Sequence, residues 1–200
     1  MTDPYLNLEP TAERPVVVLV AGIPGAGKST LAESLARRLR TPIFSMDWVL
    51  GSLVLARAVT DENVDEVVDL QLRAAVARHV QLGIDVIVDA TGHTREERGQ
   101  WRELTERLGG VFVGVECVCS DEVLHRERVE GRDRGIPGWH ATVPWKHVQR
   151  MRGLWESWED DHLVLDSAVE TPDSSLERVL EMVRGLRSTG ETADPVILGR

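Results

Sequence analysis

The chain has 200 residues, of which 42% are hydrophobic and 28% charged, a length and composition that fit one globular domain able to bury a sizeable core. Its formal charge of -10 argues against a broad nucleic-acid footprint, which shows as a basic domain or stripe. Apolar runs are too short to span a bilayer, and the acidic start MTDPYLNLEPTAERP lacks the basic-then-apolar order of a secretory signal, so the expected compartment is the cytoplasm.

Residues 1–14 read as a flexible N-terminus. The run Pro15 to Ala21 (PVVVLVA) is continuously apolar, as expected of a strand buried on both faces. It leads straight into Gly22-Ile23-Pro24-Gly25-Ala26-Gly27-Lys28-Ser29-Thr30, a complete Walker A loop. Phosphates are anionic acceptors, and glycines let successive backbone N–H groups wrap them. The following helix adds its positive dipole end, Lys28 a full charge toward the β- and γ-phosphates, and Ser29 a hydroxyl for Mg²⁺. Leu31, Leu35 and Leu39 share one face after the loop, which is the strand-loop-helix context the motif needs. The expected ligand is ATP or GTP with Mg²⁺.

Pro42 to Met46 reads as a short second strand that delivers Asp47 to the ligand end of a parallel sheet. Val64, Val67, Val68, Leu72, Val76 and Val80 recur at helical spacing up to Gly83. A third strand, Ile84 to Val88, ends at Asp89, the position of a Walker B acid that holds Mg²⁺ directly or through water. The alternative for Asp89 is an N-cap or turn residue. Thr94-Arg95-Glu96-Glu97 has the capping-box pattern, and Trp101, Leu104 and Leu108 continue the stripe. Val111 to Val118 is a fourth strand; Cys117 and Cys119, two apart, are expected to be buried thiols on one face.

Asp121 opens a charged helix that dissolves into the glycine- and arginine-rich break 131–138, read as a lid over about 128–143. Arginine forks there suit a transferring phosphoryl group; a solvated helix end laced with salt bridges is the alternative. Pro144 starts a helix in which Val148, Met151, Leu154 and Trp158 line one side, and His162 to Asp166 is a fifth strand. Ser174 with Glu177 caps a final helix, and the tail 188–200 reads as loose. The whole is an α/β fold of the P-loop NTPase type, nucleoside-monophosphate-kinase-like. It has a five-stranded parallel sheet, helices on both faces, and one domain over 15–187.

A P-loop alone does not separate a kinase from a nucleotide switch. A hydroxyl acceptor needs somewhere for its proton to go, and Asp47 at a strand end is the candidate base; otherwise it caps the helix through Trp48 and Leu50. His93 and Arg95, in the loop after Asp89, should face the acceptor. Trp48 and Trp139 are expected to line an apolar or aromatic-tolerant acceptor pocket, whereas Trp101 and Trp158 belong to the core.

From Val16 to Leu186 the chain resembles the small P-loop kinases grouped with zeta toxins, chloramphenicol phosphotransferases and the kinase domain of polynucleotide kinases. The resemblance is carried by Gly22 to Thr30, by Asp47, by Val86 to Thr94 with Arg98, and by Arg126 to Arg134. It implies transfer of the γ-phosphoryl group of ATP or GTP to a hydroxyl, with Asp47 as base. It further implies Arg128 facing the nucleobase, Arg132 and Arg134 on the phosphates, and Arg98 on the acceptor side. The acceptor it suggests is a small molecule such as a chloramphenicol- or nucleoside-type antibiotic. A polynucleotide 5′-hydroxyl is a rival that the acidic balance opposes, a sugar nucleotide of the zeta-toxin kind a third, and a nucleotide-binding switch a reading from another class.

Overall fold

The computed structural model describes residues 4–140 and 142–190, with side chains to 187. Five parallel strands, β1 (Val16–Ala21), β2 (Ile43–Ser45), β3 (Val86–Asp89), β4 (Val111–Val118) and β5 (Leu163–Asp166), lie in the order β2-β3-β1-β4-β5. β1 is central and every one of its residues is buried, which is why it reads as an unbroken apolar run. Val20 is opposite Asp89 on one side and Val115 on the other, and Ser45 is opposite Asp89. The carboxyl ends of β1, β2 and β3 therefore meet, bringing the Walker loop, Ser45 and Asp89 to one edge.

Parallel neighbours need crossovers, and among the described residues six helices supply them: α1 (Lys28–Leu39), α2 (Met46–Leu55), α3 (Val64–Gln81), α4 (Arg95–Arg107), α5 (Glu122–Glu130) and α6 (Trp145–Leu154), while α7 (Pro172–Gly190) follows β5. Alternate β1 residues serve opposite faces. Val16, Val18 and Val20 pack with Leu31 and Leu35 of α1 and Val179, Leu180 and Val183 of α7. Val17 and Leu19 pack with Val68, Leu72 and Val76 of α3 and Trp101 and Leu104 of α4. The Thr94 capping box forms with both of its bonds, and Asp121 caps α5 through the Leu124 N–H. Both cysteines are buried.

Part of the N-terminal segment packs on the domain. Pro4–Asn7 forms a 3₁₀ turn whose Tyr5 and Leu6 pack on the α3/α4 core, and Thr11 N–H donates to the Leu108 carbonyl at 2.9 Å. α7 starts at Pro172, with the Thr171 hydroxyl accepting from Ser174 N–H at 3.2 Å, so the cap is Thr171 rather than Ser174. α7 continues through 188–190; the rest of the expected loose tail, 191–200, lies outside the described residues. α6 ends at the exposed Leu154, which leaves Trp158 in the connector to β5, stacked on His162 with ring centroids 4.4 Å apart. Among the described residues no helix is long and apolar enough to cross a membrane.

Candidate active site

The Walker loop is clamped from two sides. A Cβ at Gly22 would lie 2.4 Å from the Cys117 carbonyl oxygen, and one at Gly25, whose φ is +86°, would lie 2.4 Å from Val129 Cγ2. Only glycine permits both approaches, so β4 and α5 fix the curvature of the loop. α1 begins at Lys28, pointing its unpaired N–H groups at the loop interior. Lys28 Nζ folds back to donate to the Ile23 carbonyl at 3.2 Å. Desolvation pushes its pKa below the ordinary 10.5, while the Asp89 charge pulls it upward. Asp89 is buried, and one of its oxygens accepts from Ser45 Oγ at 3.1 Å.

Two cavities flank this loop. One, of about 540 Å³, is lined by Ser29, Ser45, Trp48, Asp89, Arg132 and Arg134, with Glu33, Ile43 and Ile136 completing its wall. The other, of about 460 Å³, lies along Gly25 to Gly27 and Thr30 and is lined by Cys117, Arg128, Arg132, Leu165 and Ser167. Arg132 belongs to both, at the junction. Arg128 is fixed on the second cavity by donating to Ser167 Oγ at 2.9 Å and to the Ser167 carbonyl at 3.1 Å.

Asp47 is the second residue of α2, not its cap; Ser45 holds that position. The Asp47 carboxylate is engaged by the Arg134 guanidinium. The arginine segment also docks on α2 through a glycine seam. A Cβ at Gly51 would meet the Pro137 carbonyl oxygen at 2.3 Å, and one at Gly138 would meet the Gly51 carbonyl oxygen at 2.2 Å.

Four residues expected at the acceptor make contacts within the protein and do not line the first cavity. Arg98 is buried, donating to the carbonyls of Gly92 and Glu156, each at 2.8 Å, with its guanidinium 5.5 Å and 4.7 Å from the ring centroids of Trp155 and Trp158. It ties the loop after β3 to the connector after α6. Arg95 turns to the same connector, donating to the Ser157 carbonyl at 3.0 Å and pairing with Glu159 at 2.7 Å. His93 pairs with Glu97 at 3.1 Å, and Trp139 packs on the α3/α4 core and tilts against His140. Trp48, by contrast, stands 54% exposed on the wall of the first cavity.

His125 escaped the sequence reading although it touches the Walker loop. Its position four residues before the buried Val129 puts both on the inward face of α5, a periodic signal masked by the charges around it.

With this geometry in place, comparison with known proteins shows that the family described as AAA domain matches residues 17–156. The chain belongs to that family. The adenylyl-sulfate kinase of Pseudomonas aeruginosa is 26% identical over 178 residues, covering 84% of this chain and 85% of the relative. Among solved structures, a gluconokinase from Sinorhizobium meliloti superposes with a TM-score of 0.60 at 19% identity, covering 91% of this chain and 98% of its own. The Mycobacterium tuberculosis APS kinase CysC in complex with AMPPNP and APS also gives 0.60, at 17% identity, covering 86% of this chain and 98% of its own. The Walker loop, the parallel sheet and these relatives make the chain a P-loop kinase. These three are named an adenylyl-sulfate kinase, a gluconokinase and an APS kinase, and none of them a zeta toxin, chloramphenicol phosphotransferase or polynucleotide kinase.

Proposed function

We propose that this kinase transfers the γ-phosphoryl group of ATP to a hydroxyl of a small molecule held in the cavity beside α2. The observation that carries the reading is the meeting of two cavities at Arg132, with the Walker loop between them. The cavity along Gly25 to Thr30 and Arg128 receives the nucleotide; the one lined by Trp48, Ser45 and Asp89 receives the acceptor. Arg132 then stands where charge spreads over the transferring oxygens. The acceptor oxygen forms its bond to the γ-phosphorus as the bond to the β–γ bridging oxygen breaks, and Asp47 takes the hydroxyl proton. Arg134 engages that carboxylate, so proton acceptance requires its fork to shift toward phosphate oxygens.

The donor set at Asp89 and Ser29 is hard oxygen, and both residues line the same cavity, which fits Mg²⁺ carried mainly by phosphates. Ser29 and Asp89 would hold it, and when bound it neutralises charge on the β- and γ-oxygens. The exposed Trp48 with Ile43 and Ile136 favours an acceptor with an apolar or planar part, which keeps antibiotics in view beside adenylyl sulfate and sugar acids. The need for ATP suits a cytoplasmic protein.

The test offers ATP or GTP with Mg²⁺ and a panel of adenylyl sulfate, gluconate, chloramphenicol, a nucleoside antibiotic and a 5′-hydroxyl oligonucleotide. Diphosphate release and product mass are read together. A small-molecule product gaining one phosphoryl group supports the reading; phosphorylation of the oligonucleotide alone, or hydrolysis with no acceptor product, defeats it. Asp47→Asn should lower turnover at least about 10²-fold with nucleotide binding unchanged; near-normal turnover would remove Asp47 as base.

A further inference from the structure

His125 has no part in the transfer just described, yet it is fully buried against the Walker loop. Its Nε2 lies 2.8 Å from the Pro24 carbonyl oxygen, and its ring occupies the space beside Gly25, 2.9 Å from where a Cβ would stand. Its other nitrogen, Nδ1, lies 3.4 Å from Arg152 Nη2. A guanidinium can only donate, so Nδ1 accepts and the ring proton sits on Nε2, directed at Pro24. Arg152 is itself placed by Glu122 at 3.5 Å and by the Trp145 ring, and Trp145 meets the imidazole edge-on with centroids 5.3 Å apart. Burial pushes the His125 pKa down, the Pro24 bond opposes this, and the charges of Arg152, Arg128 and Lys28 push it further down.

α5 carries Arg128 and leads directly to Arg132 and Arg134. An N–H···O bond thus joins the phosphate-wrapping loop to the element that brings the arginines. We propose that His125 is a positioning residue for the nucleotide: its Nε2–H bond to the Pro24 carbonyl holds the Walker loop in its phosphate-binding curve and sets the spacing from loop to arginines. This rests on reading the loop as the ATP site. A histidine that merely fills the core would affect stability and leave nucleotide affinity alone.

Three substitutions separate the two roles. His125→Gln places an amide N–H about where Nε2 stands, His125→Asn is polar but stops short of Pro24, and His125→Phe keeps a ring for Trp145 with no donor. Binding of AMPPNP with Mg²⁺ is measured calorimetrically beside thermal melts, with the KM for ATP and kcat taken for the acceptor found in the panel. The glutamine variant should bind within about threefold of wild type, and the asparagine and phenylalanine variants about tenfold more weakly, as expected for one lost hydrogen bond at a phosphate site. Their KM for ATP should rise while the KM for the acceptor holds. Asparagine and phenylalanine variants that bind as tightly as wild type overturn the proposal, whatever their melting temperatures. If the phenylalanine variant does not fold, the glutamine and asparagine pair decides alone. Failure of the wild type to bind AMPPNP or its guanine counterpart would count against the nucleotide reading, and so against both.

Discussion

Replacing Gly51 by alanine sets two effects in α2 against each other. Gly51 lies inside the helix with ordinary helical geometry, so alanine gains about 1 kcal/mol in helix propensity. The added Cβ, however, would stand 2.3 Å from the Pro137 carbonyl oxygen and 3.2 Å from Ile136 Cγ2, where ordinary contact begins at 3.4 Å. Pro137 is exposed in an irregular segment, and it gives way more readily than a helix buttressed by the sheet. The retreat needed, from 2.3 to 3.4 Å, is close to one ångström. The propensity gain and the lost seam contact nearly cancel, so the melting temperature should stay within about 4 °C of wild type. Arg134 and Arg132 sit just upstream of Pro137 and move with it. A displacement of about 1 Å at a transfer site costs up to about 10²-fold in rate, and kcat should fall accordingly. The assay is diphosphate release at saturating ATP and acceptor, paired with a circular dichroism melt. Wild-type kcat, or loss of activity explained by unfolding, would refute the reasoning.

Arg98→Ala should strand the buried Gly92 carbonyl, costing about 1–3 kcal/mol, with a smaller loss at Glu156, which is exposed and can turn to water, and lower the melting temperature by several degrees while the KM for ATP holds. An unchanged melt with a raised acceptor KM would return Arg98 to the substrate. Burial pushes the Cys117 thiol up to about 12, so the thiolate is absent at neutral pH; native protein treated with iodoacetamide should leave Cys117 unmodified by peptide mass mapping until denaturant is added. The His125 pKa is lowered from 6.5, so between the two values the unfolded chain binds more protons than the folded one. Its contribution to stability is complete above pH 6.5 and declines as pH falls through that value. Urea midpoints from pH 8 to pH 5 should show this, with a shallower slope in His125→Gln.

The features legible in the sequence are those whose physics is local. The Walker loop announces itself because consecutive N–H groups bind one anion, the Thr94 box because Thr94 and Glu97 satisfy each other's backbone, and β1 because burial on both faces demands an unbroken apolar run. Sequence and structure part where a local pattern has no local stop, or where the turn of a helix redirects a residue that is close in the chain. The stripe Val148, Met151, Leu154 continues in register to Trp158, but the chain leaves the helix after Leu154. Arg98 follows Asp89 closely in sequence, yet it shares its inward helical face with Trp101 and Thr105, and the turn of α4 carries it away from the cavity.

By itself, then, the sequence determined the strand-loop-helix of the Walker motif, the alternation that makes a parallel sheet, and the acids Asp47, in the first turn after β2, and Asp89, at the end of β3. Only the tertiary structure decided that Arg132 lies between two cavities, that Arg134 rests on Asp47, and that His125 reaches Pro24. Each of these joins residues far apart in the chain: 87 positions separate Asp47 from Arg134, and 101 separate Pro24 from His125. Such pairings depend on how whole elements dock, here on the glycine seam between α2 and the arginine segment and on α5 against the Walker loop. No periodicity within a single element encodes them.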